Sequence, residues 1–274
     1  MRQLIEFFST LSPVYGALII SLFTWLTTAI GASSVFFFKS LNRKLLDVTL
    51  GFAGGIMMAA SVFSLLIPSI EMSTGEGFYK VFPATIGLII GAFFIYLLDK
   101  FLPHLHINFK ESEKEGIKTP WHKSVLLTLA ITMHNIPEGL AIGVLFGSAA
   151  AGLEGASIGA AVVLGMGIAI QNIPEGFAIS MPLRALGMSK TRSFNYGQLS
   201  AIVEPISAVV GAWAVFYFIS LLPYALSFAA GAMIFVVIEE VIPESQKSNH
   251  TDLATIAFIV GFCIMMMLDV GLTQ

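Results

Sequence analysis

The sequence is short of everything a water-soluble surface needs. Charged residues occupy 11% of its 274 positions, against roughly 25% in an average soluble domain. With 56% hydrophobic residues and a mean hydropathy of +0.86, a soluble fold could not cover itself with polar side chains. A disordered chain would be far less apolar. Most of the chain is therefore expected to face lipid. The single cysteine, Cys263, excludes a disulfide framework and any Cys-based zinc cluster. A formal net charge of −3 and the lack of a basic block argue against nucleic-acid binding. No HExxH sequence occurs, so an intramembrane metalloenzyme would lack its most recognisable constellation. The soluble portion is too small for a substrate domain, and nothing implies an organic cofactor.

What remains is apolar length. About 20 predominantly apolar residues in helical form cross a bilayer core. Eight stretches qualify, at 13–38, 46–70, 81–102, 122–148, 155–181, 193–219, 223–243 and 252–272. The expected fold is an all-α integral membrane protein forming a single polytopic domain. The first stretch is too long for a signal-peptide core and no cleavage site follows it, so it counts as a span. Of the 14 Lys and Arg residues, 12 fall in the four loops after spans 1, 3, 5 and 7. That asymmetry places those loops in the cytoplasm and both termini outside, in a cell (inner) membrane. The one sizeable cytoplasmic loop, 103–120, carries His104 and His106. The sequon Asn249-His250-Thr251 falls on the cytoplasmic side and is read as a chance match.

Ionisable side chains at mid-bilayer cost on the order of 2.5–3.5 kcal/mol each on insertion scales. Span 4 nevertheless contains His134-Asn135-Ile136-Pro137-Glu138-Gly139, and span 5 contains Gln171-Asn172-Ile173-Pro174-Glu175-Gly176. Span 6 adds Glu204-Pro205, and span 7 ends Glu239-Glu240-Val241-Ile242-Pro243-Glu244. At about 100° per residue, His134 lies roughly 40° from Glu138 on one flank and Asn135 about 60° away on the other. Gln171, Asn172 and Glu175 repeat the arrangement. Two such helices face to face would present six ligand groups to one small volume. Pro137, Pro174 and Pro205 free the carbonyls of Met133, Ile170 and Ala201, which is tolerated at membrane depth only inside protein or beside a wet cavity. Apart from Lys123 at the start of span 4, no Lys or Arg lies within spans 4 to 6 to neutralise Glu138, Glu175 and Glu204. A divalent metal fits this set. Imidazole, carboxylate and amide oxygen suit zinc, manganese, iron(II) or cobalt more than copper(I), and shared carboxylates leave room for two metals.

At these residues the chain resembles the ZIP family of divalent-metal transporters, in its bacterial GufA-like branch. The two NIPEG motifs carry the resemblance together with Glu204-Pro205, the span 2 run AGGIMMAASVFSLLIP and the span 7 run AAGAMIFVVIEEVIPES. It implies eight helices in a 3+2+3 order, spans 1–3 being related to spans 6–8 by an inverted repeat, and a metal site between helices 4, 5 and 6. Carried over residue by residue, it implies a first metal position at His134, Glu138, Gln171 and Glu175. A second would use Asn135, Asn172 and Glu204, with Glu138 and Glu175 bridging. Ala53, Met57, Ser64, Met233, Glu239 and Glu240 match the family's transport path, Asp99 a position near the cytoplasmic exit, and His104 and His106 its loop histidines. Asn172 stands where some relatives have Asp, and Glu239 where many have His. The resemblance implies Zn²⁺ uptake as transported substrate, with Cd²⁺, Fe²⁺, Mn²⁺ and Co²⁺ as further candidates. It also implies an elevator-like movement of spans 1, 4, 5 and 6, and a homodimer. A broad or Fe²⁺/Mn²⁺-preferring carrier is the alternative, and a proton-coupled carrier of an organic solute a third.

Overall fold

A computed structural model describes residues 2–101 and 123–272; His104 and His106 lie outside the described residues. The described residues contain helices and no strand. A short N-terminal helix, Arg2–Ser9, is followed by α1 (Pro13–Phe37), α2 (Arg43–Met72), α3 (Phe78–Phe101), α4 (Lys123–Ala150), α5 (Ile158–Ala185), α6 (Lys190–Val215), α7 (Ile219–Ser245) and α8 (Thr251–Leu272). Among the described residues, α1, α2, α3, α5, α6, α7 and α8 are long and apolar enough to cross a membrane. The α4 helix is as long as α5, at 28 residues. The protein is an all-α integral membrane protein.

Sequence sets the helix starts. Ser12 accepts a hydrogen bond from the Tyr15 amide just before Pro13, and Ser157 and Ser189 cap α5 and α6 in the same way. Gly187, at φ +90°, ends the segment after α5 in the left-handed region where glycine carries no Cβ penalty.

Burial drives little between lipid-bathed helices, so close packing must supply the association. The most extensive pairs are α1 with α5, α4 with α6, α2 with α8 and α3 with α7. Exchanging α1–α3 for α6–α8, and α4 for α5, maps this set of pairs onto itself. Glycine carries the contact in each half. A Cβ on Gly55 would overlap the Phe258 carbonyl across α2–α8, and one on Gly91 the Phe228 carbonyl across α3–α7. The α5 helix is buried along nearly its whole length, whereas α3 and α8 bury only a few residues each and form the flanks.

The repeat extends to a local irregularity. Ser61–Leu66 in α2 and Val237–Val241 in α7 both widen into π-helix, and an Ile-Pro pair, Ile67-Pro68 or Ile242-Pro243, follows each directly. Each proline withdraws the amide that would reach the carbonyl four residues earlier, at Ser64 in one copy and Glu239 in the other. The prolines of the NIPEG motifs behave differently: α4 and α5 run as continuous α-helix across Pro137 and Pro174. Interruption occurs instead before Pro205, where Ser200–Ile202 tightens to a 3-10 turn immediately ahead of Glu204.

Candidate metal centre

The motif residues converge at the centre of the bundle. Asn135, Glu138, Gln171, Asn172 and Glu204 are each no more than 1% exposed, His134 is buried and Glu175 half-buried. Gln171 Nε2 donates to Glu138 Oε1 at 2.5 Å, joining α5 to α4. Asn172 Nδ2 donates to Glu204 Oε1 at 2.8 Å, joining α5 to α6. Asn135 Nδ2 reaches the Ser200 carbonyl at 3.3 Å, in the 3-10 turn beside Glu204. The carboxylates of Glu138, Glu175 and Glu204 lie within electrostatic reach of one another.

Each amide shows the site its oxygen. Gln171 spends its nitrogen on Glu138, and Asn172 spends its own on Glu204 and on the Thr24 carbonyl at 3.2 Å. Gln171 Oε1, Asn172 Oδ1 and Glu138 Oε2 are buried and have no hydrogen-bond donor. Buried acceptors are ordinarily satisfied, and an unsatisfied one costs about 1–3 kcal/mol. These oxygens, among the carboxylates of Glu138, Glu175 and Glu204 and with no Lys or Arg anywhere in residues 124–183, line a space that could hold a cation. His134 could add one nitrogen ligand. Nitrogen and oxygen without sulfur suit borderline and hard divalent ions.

Two flanking sites lead away from this centre in opposite directions. His134 Nε2 lies 3.2 Å from Glu240 Oε1 on α7. One carboxylate oxygen from each of Asp99, Glu239 and Glu240 lies within 4.8 Å of the others, near the end of α3. At the other end of the bundle, Ser64 donates to Asp269 at 2.6 Å. There a cavity of about 390 Å³ is lined by Ser64, Glu71, Ser157 and Asp269. These clusters occupy repeat-related places, Ser64 of α2 and Asp269 of α8 corresponding to Glu239 of α7 and Asp99 of α3. Ala53, Met57 and Met233 are buried apolar positions, and Met57 and Met233 share one apolar cluster.

Sequence reading missed Thr24 and Asp269. Thr24 is fully buried on α1 and its hydroxyl contacts Glu204 Oε2. The available signal was the run of hydroxyls Ser21, Thr24 and Thr28 on one face of an otherwise apolar helix. Asp269 was legible as a carboxylate inside span 8. A third group was also missed. Arg43 pairs with Asp47 at 2.7 Å and with Glu244 at 2.8 Å, tying α2 to the end of α7.

The chain is similar to known zinc transporters over most of its length. Residues 110–269 match the family model described as ZIP Zinc transporter. Zinc transporter ZIP11 of Homo sapiens is 42% identical over 95% of this chain and 98% of its own length. Zinc transporter GufA of Myxococcus xanthus is 36% identical over 94% of this chain and 99% of its own. Zinc transporter ZIPB of Bordetella bronchiseptica is 36% identical over 89% and 77% respectively.

Proposed function

The chain belongs to the ZIP family of zinc transporters, and from that premise we propose that it carries Zn²⁺ into the cytoplasm through the centre held by α4, α5 and α6. It is a multi-pass membrane transporter of divalent metal cations, not an enzyme. The finer reading is that all eight long helices span, and that His134, Glu138, Gln171 and Glu175 form the main cargo position. Asn135, Asn172 and Glu204 form an oxygen-only second position. Fe²⁺, Mn²⁺, Co²⁺ and Cd²⁺ are candidate competitors, because nitrogen and oxygen ligands discriminate weakly among divalent ions. The observation that carries the reading is the trio of donorless buried oxygens on Glu138, Gln171 and Asn172.

Orientation in the membrane is read from the charge asymmetry, with 12 of 14 basic residues on one side. That side is the cytoplasm of a cell (inner) membrane, so both termini are outside and Ser64 and Asp269 lie towards the outer face. Glu240 and Asp99 then lie on the exit side. Every ligand of the centre comes from α4, α5 or α6, which pack on one another and on α1, while α2 packs on α5 and α7 on α4 across the surface on which such a body would slide. A body of α1, α4, α5 and α6 sliding against the other four would carry the cargo past fixed entrance and exit carboxylates, in an elevator-like cycle.

The test is uptake into proteoliposomes containing a metal-sensitive dye, with Zn²⁺, Cd²⁺, Fe²⁺ and Mn²⁺ offered separately. Glu138→Gln keeps the shape and removes the charge that both positions share. A zinc signal lost in that variant supports the assignment; wild-type flux through it overturns it.

A further inference from the structure

The residue that orients the centre is not among its ligands. Asn172 has two amide hydrogens. One goes to Glu204 Oε1 at 2.8 Å and the other to the backbone carbonyl of Thr24 at 3.2 Å. Turning the amide over would set its oxygen against two acceptors, so the network fixes which end faces the site. The outcome is Asn172 Oδ1 presented with no donor of its own. The backbone carbonyl at position 24 of α1 and Glu204 together set which atom of Asn172 faces the site.

The Thr24 hydroxyl makes a second selection. It lies 2.9 Å from the Ser21 carbonyl, the usual helical back-bond, and also contacts Glu204 Oε2. A hydroxyl has one hydrogen, and a bond to a charged acceptor is roughly twice as strong as one between neutral groups. The hydrogen therefore turns towards Glu204. With Asn172 on one oxygen and Thr24 on the other, the Glu204 carboxylate is held by two donors from two helices. Each oxygen still has a lone pair to give to a metal.

We infer that Thr24 is a positioning residue of the transport site, its hydroxyl fixing Glu204, and through Glu204 the Asn172 amide, in the orientation that receives the cation. The inference rests on the proposed metal-carrying role of the centre. Partners that orient ligating carboxylates typically contribute 10–100-fold to metal affinity or activity when removed. Thr24 does so from a helix that contributes no ligand, which ties α1 to the site-bearing body.

Three substitutions test this in the full-length protein: Thr24→Val, which keeps the shape but removes the hydroxyl; Thr24→Ser, which keeps the hydroxyl; and Thr24→Ala, which keeps neither. The measurements are zinc binding to purified protein by competition with a chelating dye, dye-reported uptake, and thermal unfolding without metal. Thr24→Val is expected to weaken zinc binding and raise the uptake KM about 10-fold or more, with metal-free unfolding close to wild type, while Thr24→Ser stays within about 2-fold of wild type. A purely structural role would lower the unfolding temperature together with affinity, and the serine would not restore binding. If the valine variant does not fold, serine and alanine decide, since equal affinities in those two overturn the proposal. Glu138→Gln separates the two readings. Zinc binding lost there but untouched by Thr24→Val overturns only the role of Thr24, whereas zinc binding untouched by Glu138→Gln overturns the metal centre itself.

Discussion

His134 Nε2 and Glu240 Oε1 stand 3.2 Å apart, joining a candidate ligand on α4 to a carboxylate on α7 that belongs to the acidic group with Asp99 and Glu239. A metal that takes Nε2 must displace Glu240, so the carboxylate competes with cargo for the imidazole. On the proposed path, the displaced carboxylate would stand next to the cargo as its next anionic ligand.

Glu240→Gln should therefore separate binding from turnover. With its competitor neutralised, His134 binds zinc as tightly as in wild type or more so, while release towards Asp99 and Glu239 slows. The expected result is an uptake rate several-fold lower at saturating zinc with no loss of equilibrium affinity. Parallel loss of both would place Glu240 among the ligands and remove the hand-off.

Asn172→Asp addresses the second position. The amide now donates to Glu204 at 2.8 Å and to the Thr24 carbonyl at 3.2 Å. A carboxylate there has no hydrogen to give and meets a second carboxylate in a buried site, which is costly unless a cation lies between them. The metal-free variant should unfold at a lower temperature than wild type, and zinc should raise its unfolding temperature by more than it raises that of wild type. The order of metal preference should change as well. Thermal unfolding with and without zinc checks the first expectation and competition uptake the second; equal zinc-induced shifts would show that Asn172 is remote from the cargo.

How much of this was legible in the sequence depends on chemistry. Carboxylates and prolines in an apolar helix violate the hydropathy pattern, so His134 to Glu138 and Gln171 to Glu175 stand out, and their duplication identifies the site. Thr24 violates nothing. A threonine in a membrane helix can satisfy itself on the preceding turn, and its contact with Glu204 exists only once α1 and α6 are packed. The π-helical turns at Ser61–Leu66 and Val237–Val241 add one residue to a turn without altering composition. The prolines were legible as residues but not in their effect. Packing holds α4 and α5 continuous across Pro137 and Pro174, while the break comes before Pro205. Arg43 read only as part of a positive loop, although its partners Asp47 and Glu244 lie on two different helices.

Gly91 tests whether packing, rather than burial, holds the flanking helices. A Cβ there would occupy the place of the Phe228 carbonyl, and on the partner helix one at Gly231 would meet the Leu88 carbonyl. Gly91→Leu cannot be absorbed by a rotamer change, because the obstacle is backbone. Separation of α3 from α7 should follow, displacing Asp99 from Glu239. Overpacking costs about 1–3 kcal/mol and more when the neighbour is rigid. The variant should unfold at a clearly lower temperature in detergent, whereas a bulky substitution at Ile90, which is largely exposed on α3, should have little effect. Equal tolerance at both positions would refute the close contact.

The last prediction concerns the junction of α2 and α7. Asp47 is fully buried, Glu244 nearly so, and Arg43 bridges them, its side chain about a quarter exposed at 26%. Arg43 Nη2 also reaches the Glu244 carbonyl at 2.5 Å, and Lys247 lies 3.1 Å from the other Glu244 carboxylate oxygen. Removing one partner of a fully buried pair costs about 3–5 kcal/mol, because the other charge is left desolvated. Water reaches Arg43, so the cost here should be smaller, about 1–3 kcal/mol. Asp47→Asn and Arg43→Met should each lower the unfolding temperature, and the double variant should lose less than the two losses combined, because neither orphaned charge remains from that pair. Zinc affinity should be unchanged in all three, since none of these residues touches the metal centre. Additive losses would mean that Arg43 and Asp47 stabilise the junction independently, and a fall in zinc affinity would mean that the junction sets the geometry of the centre as well as its stability.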